Sequence, residues 1–355
     1  MAITPTVETE PVHGGERQRS FLHRVLAALT LPYRQSHGMA RAMLVIGSLM
    51  TAVVVFFAIF APWVAPYGFD QVSVGDERFP KQAPPSAEHW FGTNVLFFDV
   101  LSRVIWGART EMTVVIMSLA LSVATGVILG LISGFVGGWL DRVLVLVMDA
   151  LFAFPYLLLA IVVAFLVAER FDISGIATAA VSITVVYIPQ YFRVVRNSTV
   201  SAKEATYVEA ARAMGAGSAW IMWRYLFANV VQSVPVIATL NAADAILTLA
   251  GLGFLGYGIQ PTDAAEWGYD LNRAVDDAAS GIWWTGVFPG LAIVWLVVGL
   301  TFVGEGLNET LNPTLRVRRL LPVVLPPRDD RQENGSRRRA SADWREHQRD
   351  EQEMA

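Results

Sequence analysis

The sequence predicts an all-α membrane protein with six transmembrane helices and a cytoplasmic helix between helices four and five. Hydrophobic residues make up 54% of the 355 residues and charged residues only 16%, whereas about 25% of a typical soluble domain is charged. The apolar residues are concentrated in six segments, each close to the roughly 20 residues that a helix needs to cross a hydrocarbon core. The segment between the fourth and the fifth is long, polar and rich in helix-forming residues.

The six apolar segments define the predicted organisation of the chain. Each is expected to be helical, because lipid offers backbone N–H and C=O groups no partner. They cover about residues 42–65, 113–136, 143–168, 173–195, 225–252 and 282–303. They belong to a membrane domain at 42–318, with an external segment at about 67–112 and a cytoplasmic loop at about 196–224. The charged, polar ends at 1–41 and 319–355 are predicted to be largely disordered.

The distribution of Lys and Arg predicts the orientation of these spans. Cytoplasmic loops carry an excess of basic residues, so both termini of this multi-pass protein of the cell (inner or plasma) membrane are expected in the cytoplasm. The basic residues that indicate this are Arg17, Arg19, Arg24, Arg34 and Arg41 before the first span, and Arg196, Lys203, Arg212 and Arg224 between spans four and five. The segment after span five is acidic instead, with Asp263, Glu266, Asp270, Asp276 and Asp277.

Several kinds of chemistry lack their motifs in this sequence. There is no Cys, no G-x-x-x-x-G-K-[ST] loop for ATP and no H-E-x-x-H metal motif. The string G-x-G-x-x-G at 251–256 ends a predicted span instead of joining a strand to a helix, so no dinucleotide site is predicted. Without a nucleophile, base and orienting group such as Ser/His/Asp, we expect no catalytic residue, cofactor or metal in this chain. The net charge of −4 gives no basic field for nucleic acid.

Two polar residues lie deep in the fifth predicted span, Asn241 and Asp244. An uncompensated carboxylate inside a membrane is costly, which makes it a candidate functional residue. One interpretation is that Asn241 and Asp244 line a water-filled pathway and contact an amine or amide of a solute. The alternative is a structural hydrogen-bonding role.

Small residues recur every four positions along the second predicted span, at Ser118, Ser122, Gly126, Gly130 and Gly134. Such a stripe lets two helix backbones approach closely. The sequence favours packing within the chain, and an interface between subunits is the alternative.

The loop between spans four and five contains the most informative segment. Its residues Glu209, Ala210, Ala211, Ala213, Met214 and Gly215 predict a short helix that Gly215 ends in a left-handed cap. Alanines on a short helix permit close approach, so the helix is suited to docking into a groove of a partner. A surface helix lying on the bilayer is the alternative.

Glu209-Ala-Ala followed by Gly215 resembles the E-A-A-x-x-x-G motif of ABC importer permeases. Further stretches resemble the C-type inner-membrane permease of the dipeptide, oligopeptide and nickel group, and the likeness covers roughly residues 40–318. These stretches are Phe91-Gly-Thr93, Asp99-Val-Leu-Ser102-Arg103 through Gly107-Ala-Arg109, Gly137-Gly-Trp-Leu-Asp141, Phe154-Pro155, Phe254-Leu-Gly256-Tyr-Gly258-Ile-Gln-Pro261, Glu266-Trp-Gly268, and Gly306-Leu307 through Asn312-Pro313.

The resemblance implies a non-catalytic transmembrane subunit that forms half of a pathway for di- or oligopeptides. The helix at Glu209–Met214 would be the coupling helix that sits in a cleft of an ATPase subunit. The implied partners are a second homologous permease, two cytoplasmic ATPases that bind ATP and Mg, an extracytoplasmic binding protein and the lipid bilayer, with no nucleic acid. The alternatives are a structural or assembly subunit without transport, and a permease for another solute such as a nickel chelate or an oligosaccharide.

Three positions depart from the family pattern. Phe97-Phe98 replace a usual Gly-Arg before Asp99, and Ala228 replaces a usual Pro after the coupling region. Leu249 stands where many members carry Glu, while this chain has Asp244 five residues earlier. The first and third changes bear on which solute is carried.

Overall fold

The computed structural model describes residues 32–34 and 36–311, which form the helical membrane domain. The predicted tail at 319–355, residues 1–31 of the predicted N-terminal segment and the Asn312-Pro313 motif lie outside the described residues. The helices in chain order are α1 (Gly38–Val64), α2 (Val100–Val136), α3 (Gly138–Ala153), α4 (Tyr156–Arg170), α5 (Gly175–Ala202), α6 (Thr206–Ala213), α7 (Ser218–Ile221), α8 (Phe227–Val230), α9 (Val234–Phe254), α10 (Trp267–Ala279) and α11 (Trp284–Leu311). Two short strands, β1 (Ser73–Val74) and β2 (Glu77–Arg78), pair in an antiparallel hairpin between α1 and α2.

Five continuous helical stretches are long and apolar enough to cross a membrane, and a bent pair makes up to six within the described residues. α1, α2, α5 and α11 are four of these stretches. The fifth is Ser218–Phe254, in which α7, α8 and α9 are joined by a π-helical turn at Met222–Leu226 and a 3-10 turn at Val231–Ser233. The predicted all-α architecture with about six spans is therefore confirmed.

The third predicted span is not one straight helix. α3 and α4 meet at an angle of 103°, and Phe154 between them is extended, with φ −75° and ψ 141°. Pro155 supplies the reason, because its ring disfavours helical geometry in the preceding residue and its nitrogen cannot donate a helix hydrogen bond.

The second span begins much earlier than its apolar segment. α2 begins at Val100 rather than at Thr113, and Asp99 caps it by accepting hydrogen bonds from the Ser102 backbone N–H (2.8 Å) and Oγ–H (2.7 Å). The first turns of α2 are thus helical in the segment predicted as an external loop. Hydropathy missed them because they carry charged residues, two of which, Arg103 and Glu111, are buried in the fold.

The small-residue stripe of α2 packs against α5 of the same chain. A Cβ at Gly126, Gly130 or Gly134 would lie within 2.6–2.8 Å of atoms of Tyr191, Phe192 or Arg196. The two backbones are therefore close along three helical turns. The predicted packing within the chain is confirmed.

The hairpin, the loop that follows it and α10 lie together at the opposite end of the spans from α6, on the predicted external side. Arg103 of α2 forms a buried ion pair with Asp270 of α10, in which the Arg103 Nε–H donates to both carboxylate oxygens (2.9–3.0 Å). The Trp267 indole N–H donates to the Val104 carbonyl (3.0 Å) and lies against Gly107, where a Cβ would be 2.3 Å from the indole nitrogen. These contacts explain why Arg103, Gly107 and Trp267 occur in the family-like motifs.

Candidate functional site

The predicted coupling segment forms a helix that ends as its sequence indicates. α6 spans Thr206–Ala213, and Gly215 has φ +84°. The Gly215 N–H donates to the Arg212 carbonyl (2.9 Å), and the Ala216 N–H donates to the Ala211 carbonyl (3.0 Å). This hydrogen-bond pair is the Schellman motif, which a left-handed glycine closes without a Cβ penalty.

α6 presents most of the predicted coupling residues to its surroundings. Val208 and Ala211 are buried and fix the helix to the body of the chain. The exposed residues are Glu209, Ala210, Arg212, Ala213, Met214 and Gly215. The Asn229 amide also donates to the Tyr207 hydroxyl (2.9 Å), which joins α6 to the start of the fifth span.

Large apolar side chains surround this helix without being covered. Met214 is 78% exposed, Trp220 53% and Trp223 48%. Exposed apolar side chains of this kind mark contacts with a partner protein or with the bilayer. Use of this helix by an ATPase stays a prediction, because the structure holds this chain alone.

The second predicted site residue, Asp244, lines a cleft beside the break between α3 and α4. The cleft has a volume of about 410 Å³. Its polar lining residues are Tyr156, Tyr187, Gln190 and Asp244, and the apolar ones include Phe152, Phe154 and Leu159. The bend at Pro155 creates this space, since it turns α4 away from the direction of α3.

Hydrogen bonds on α5 and α9 fix the character of the cleft. The Thr248 hydroxyl donates to the Asp244 backbone carbonyl (2.9 Å). Its single proton is thereby used, so Tyr187 must be the donor in the 3.1 Å bond between the two hydroxyls. The Tyr187 oxygen then has only lone pairs left to offer to the cleft.

Asn241, the other predicted pathway residue, is only 3% exposed. It is not among the residues that line the cleft. The structure therefore brings Asp244 to the cleft and leaves Asn241 in the packed interior one helical turn earlier.

A second cleft, of about 350 Å³, lies at the outer ends of α4, α5 and α9. Its polar lining includes Asp172, Gln260 and Asp263. Residues of α4 and α5 line both clefts, which places the clefts along one side of the domain.

A buried carboxyl pair at the outer end of α2 was not recognised from the sequence. Glu111 and Glu266 are fully buried and their carboxyl groups face each other. Glu266 also caps α10 by accepting from the backbone N–H groups of Gly268 (2.7 Å) and Tyr269 (2.6 Å). Burial raises the pKa of Glu266 to about 7. The nearby Asp270 carboxylate also raises this pKa, whereas the two backbone N–H donors lower it.

The first family departure has a structural counterpart. Phe97 has φ +67°, one of two positive values for non-glycine residues in the described part of the chain. A glycine would adopt this conformation without strain, whereas a Cβ makes it costly by about 1–2 kcal/mol. The Arg78 guanidinium lies 3.9 Å from the centre of the Phe97 ring, a cation–π contact that offsets part of this cost.

Comparison with known proteins adds two family matches. Residues 126–317 match the model described as "Binding-protein-dependent transport system inner membrane component", and residues 40–85 match "N-terminal TM domain of oligopeptide transport permease C". Among similar curated proteins, the glutathione transport system permease protein GsiD of Shigella flexneri serotype 5b (strain 8401) is 37% identical over 284 residues, 80% of this chain and 89% of that protein. The GsiD protein of Escherichia coli O6:K15:H31 (strain 536 / UPEC) is 34% identical over the same shares.

Proposed function

The chain belongs to the inner-membrane permease components of binding-protein-dependent ABC importers, in the peptide and nickel group, and we propose that it forms half of a translocation pathway for peptides. The main support for this proposal is the cleft at Asp244. The Asp244 carboxylate is exposed there, within a membrane span. A carboxylate facing lipid would be costly, and such residues face a bundle interior or a water-filled cavity. A second, homologous permease subunit would close the cleft and complete the pathway.

Coupling to ATP is assigned to α6. Two cytoplasmic ATPase subunits would bind ATP and Mg and carry out hydrolysis, so this chain needs no cofactor of its own. ATP can shift the equilibrium between two conformations of the complex only if it binds more tightly to one of them. That shift reaches the permease through a contact between the subunits. The exposed α6 surface, with its apolar rim at Met214, Trp220 and Trp223, supports this location for the contact.

Peptides are the proposed cargo for two reasons. Residues 40–85 match an oligopeptide permease model, and similar proteins are named for transport of glutathione, itself a peptide. An extracytoplasmic binding protein would deliver the peptide to the face that carries the β1–β2 hairpin and α10.

Reconstitution tests the proposal directly. The chain is co-expressed with a homologous permease, its ATPases and its binding protein, and ATP-dependent uptake of labelled di- and tripeptides into vesicles is measured. We expect uptake that requires ATP, the binding protein and this chain. Assembly of the complex without uptake of any peptide would contradict the proposal and favour a structural subunit, and uptake of a nickel chelate or oligosaccharide alone would contradict the peptide cargo.

A further inference from the structure

The Asp244 cleft contains one carboxylate and acceptor oxygens beside it, and Tyr156 adds a hydroxyl that can donate or accept. Asp244 contributes a carboxylate, and the Tyr187 oxygen retains only lone pairs because its proton is donated to Thr248. The Gln190 side-chain carbonyl oxygen is buried and has no hydrogen-bond partner within the described structure. The Asp244 carboxylate and the Tyr187 oxygen thus lie at one space, and the buried Gln190 oxygen lies in its wall.

No basic side chain lines this cleft among the residues described. The closest basic group along α5 is Arg193, one turn beyond Gln190, and it is engaged elsewhere. Its guanidinium donates to Asp149 (2.8 Å) and lies 4.0 Å from the centre of the Phe152 ring. The negative charge of Asp244 is therefore not neutralised by a neighbour on the cleft wall.

Hydrogen bonds between a charged group and a donor are the strong ones, and a group that supplies N–H donors suits the Asp244 carboxylate. An ammonium group has three donors and no acceptor, which matches this carboxylate and the Tyr187 oxygen beside it. A carboxylate in the same position would face repulsion and no donor from Tyr187. The aromatic rings of Phe152 and Phe154 leave apolar surface for the rest of the solute.

We propose that this cleft is a charge-selective subsite of the permease itself, one that favours peptides with an additional ammonium group and disfavours peptides with an additional carboxylate. The inference rests on the proposed function, and it adds a selection step in the permease to that made by the binding protein. The acidic side chains Asp172 and Asp263 in the outer cleft act in the same direction by attracting cations.

The test uses tripeptides that differ in one charge, Ala-Lys-Ala, Ala-Gln-Ala and Ala-Glu-Ala. Initial uptake rates are measured at saturating peptide with the same binding protein for every permease variant, so that the preference of the binding protein cancels between variants. For Asp244→Asn we expect the Lys-to-Glu uptake ratio to fall about 30-fold relative to wild type, because one attraction and one repulsion of roughly 1 kcal/mol each at 4 Å in water are both lost. Gln190→Met, which keeps the size of the side chain, should lower the ratio by a smaller factor.

Glu305→Gln is the matched control, because Glu305 is an exposed carboxylate in a span and does not line the cleft. Its ratio should equal that of wild type. Unchanged ratios in Asp244→Asn and Gln190→Met, with normal uptake of all three peptides, would overturn the subsite and leave the proposed function standing. Failure of the wild-type complex to import any of the peptides would instead contradict the proposed function. If Asp244→Asn fails to assemble, two other variants test the subsite. The Lys-to-Glu uptake ratio must fall in Gln190→Met and must stay at the wild-type value in Asp244→Glu, which keeps the charge.

Discussion

At the scale of single residues, the buried glutamate pair is the least expected feature. Glu111 and Glu266 face each other without solvent, and neither oxygen of Glu111 has a hydrogen-bond partner in the described structure. Burial favours the neutral form of the Glu266 carboxyl, and the nearby Asp270 carboxylate acts in the same direction, so that the pKa of Glu266 is raised to about 7. The folded state therefore binds a proton at Glu266 more tightly than the unfolded state does.

The sign of the resulting pH dependence follows from linkage. A carboxyl whose pKa is raised by folding stabilises the folded state most at pH values below its unfolded pKa of about 4.5. That contribution is lost as the pH rises from about 4.5 through about 7. The contribution of this site to the free energy of unfolding should therefore be larger at pH 5 than at pH 8.

Glu111→Gln tests whether Glu266 titrates in this range. A glutamine cannot ionise and its amide donates to the Glu266 carboxylate at every pH, while the burial that raises the pKa of Glu266 remains. We expect the melting temperature to fall from pH 5 to pH 8 in this variant as it does in wild type. Thermal unfolding in detergent across that range measures the effect, with Asp76→Asn in the exposed β1–β2 turn as control. A melting temperature that is independent of pH between 5 and 8 in Glu111→Gln would contradict titration of Glu266 in this range.

At the scale of elements, α6 combines a short helix with a cap that only a left-handed residue closes. Its buried side holds Val208 and Ala211, and its exposed side holds Glu209 and Ala210. The helix can therefore be altered on its outer side without disturbing a span. This separation makes it possible to test coupling independently of membrane insertion.

Gly215→Val and Glu209→Lys should uncouple the permease from its ATPases. A β-branched residue at φ +84° costs about 1–2 kcal/mol and distorts the cap, while Lys reverses the charge at the exposed docking side. We expect both variants to reach the membrane, to co-purify poorly with the ATPases and to lose substrate-stimulated ATP hydrolysis.

Two matched changes serve as controls for this prediction. Gly217→Val alters a neighbouring glycine with φ −67° and open space around it, and Glu204→Lys reverses an exposed charge outside α6. Both should retain coupling. Normal association and hydrolysis in Gly215→Val and Glu209→Lys would show that α6 is not the coupling element.

At the scale of the whole molecule, the bent α3–α4 pair decides the topology. α2 and α5 run parallel, because Gly126, Gly130 and Gly134 meet Tyr191, Phe192 and Arg196 in the same order. The α3–α4 pair must therefore carry the chain from one end of the spans back to the other, so that α6 and the hairpin lie at opposite ends. The basic residues near α6 favour the orientation in which α6 and both termini are cytoplasmic.

Reporter fusions test this topology and its orientation. Fusions after Trp139, Ala216 and Leu320 should report the cytoplasm, and fusions after Lys81, Asp172 and Ser280 should report the outside. Ser280 is exposed and follows α10, so a fusion there leaves the buried Arg103–Asp270 pair intact. Trp139 and Asp172 on the same side would contradict the crossing of α3 and α4, and with it the six-span topology.

The sequence by itself determined the features that depend on local composition. Spans follow from runs of apolar residues, because each helix satisfies its own backbone hydrogen bonds in lipid. The α6 helix and its glycine cap follow from residues within ten positions of each other. The stripe of small residues on α2 likewise indicated a close helix contact before any partner was known.

Only the tertiary structure decided which distant residues meet. Arg103 pairs with Asp270, and Glu111 faces Glu266, across more than a hundred and fifty residues of chain. Helical periodicity places each side chain on a face but does not say which helix covers that face. The same limit applied to Asp244 and Asn241, which are equally deep in the sequence pattern. One lines a cleft and the other is packed, because the bend at Pro155 opens space on only one side of α9.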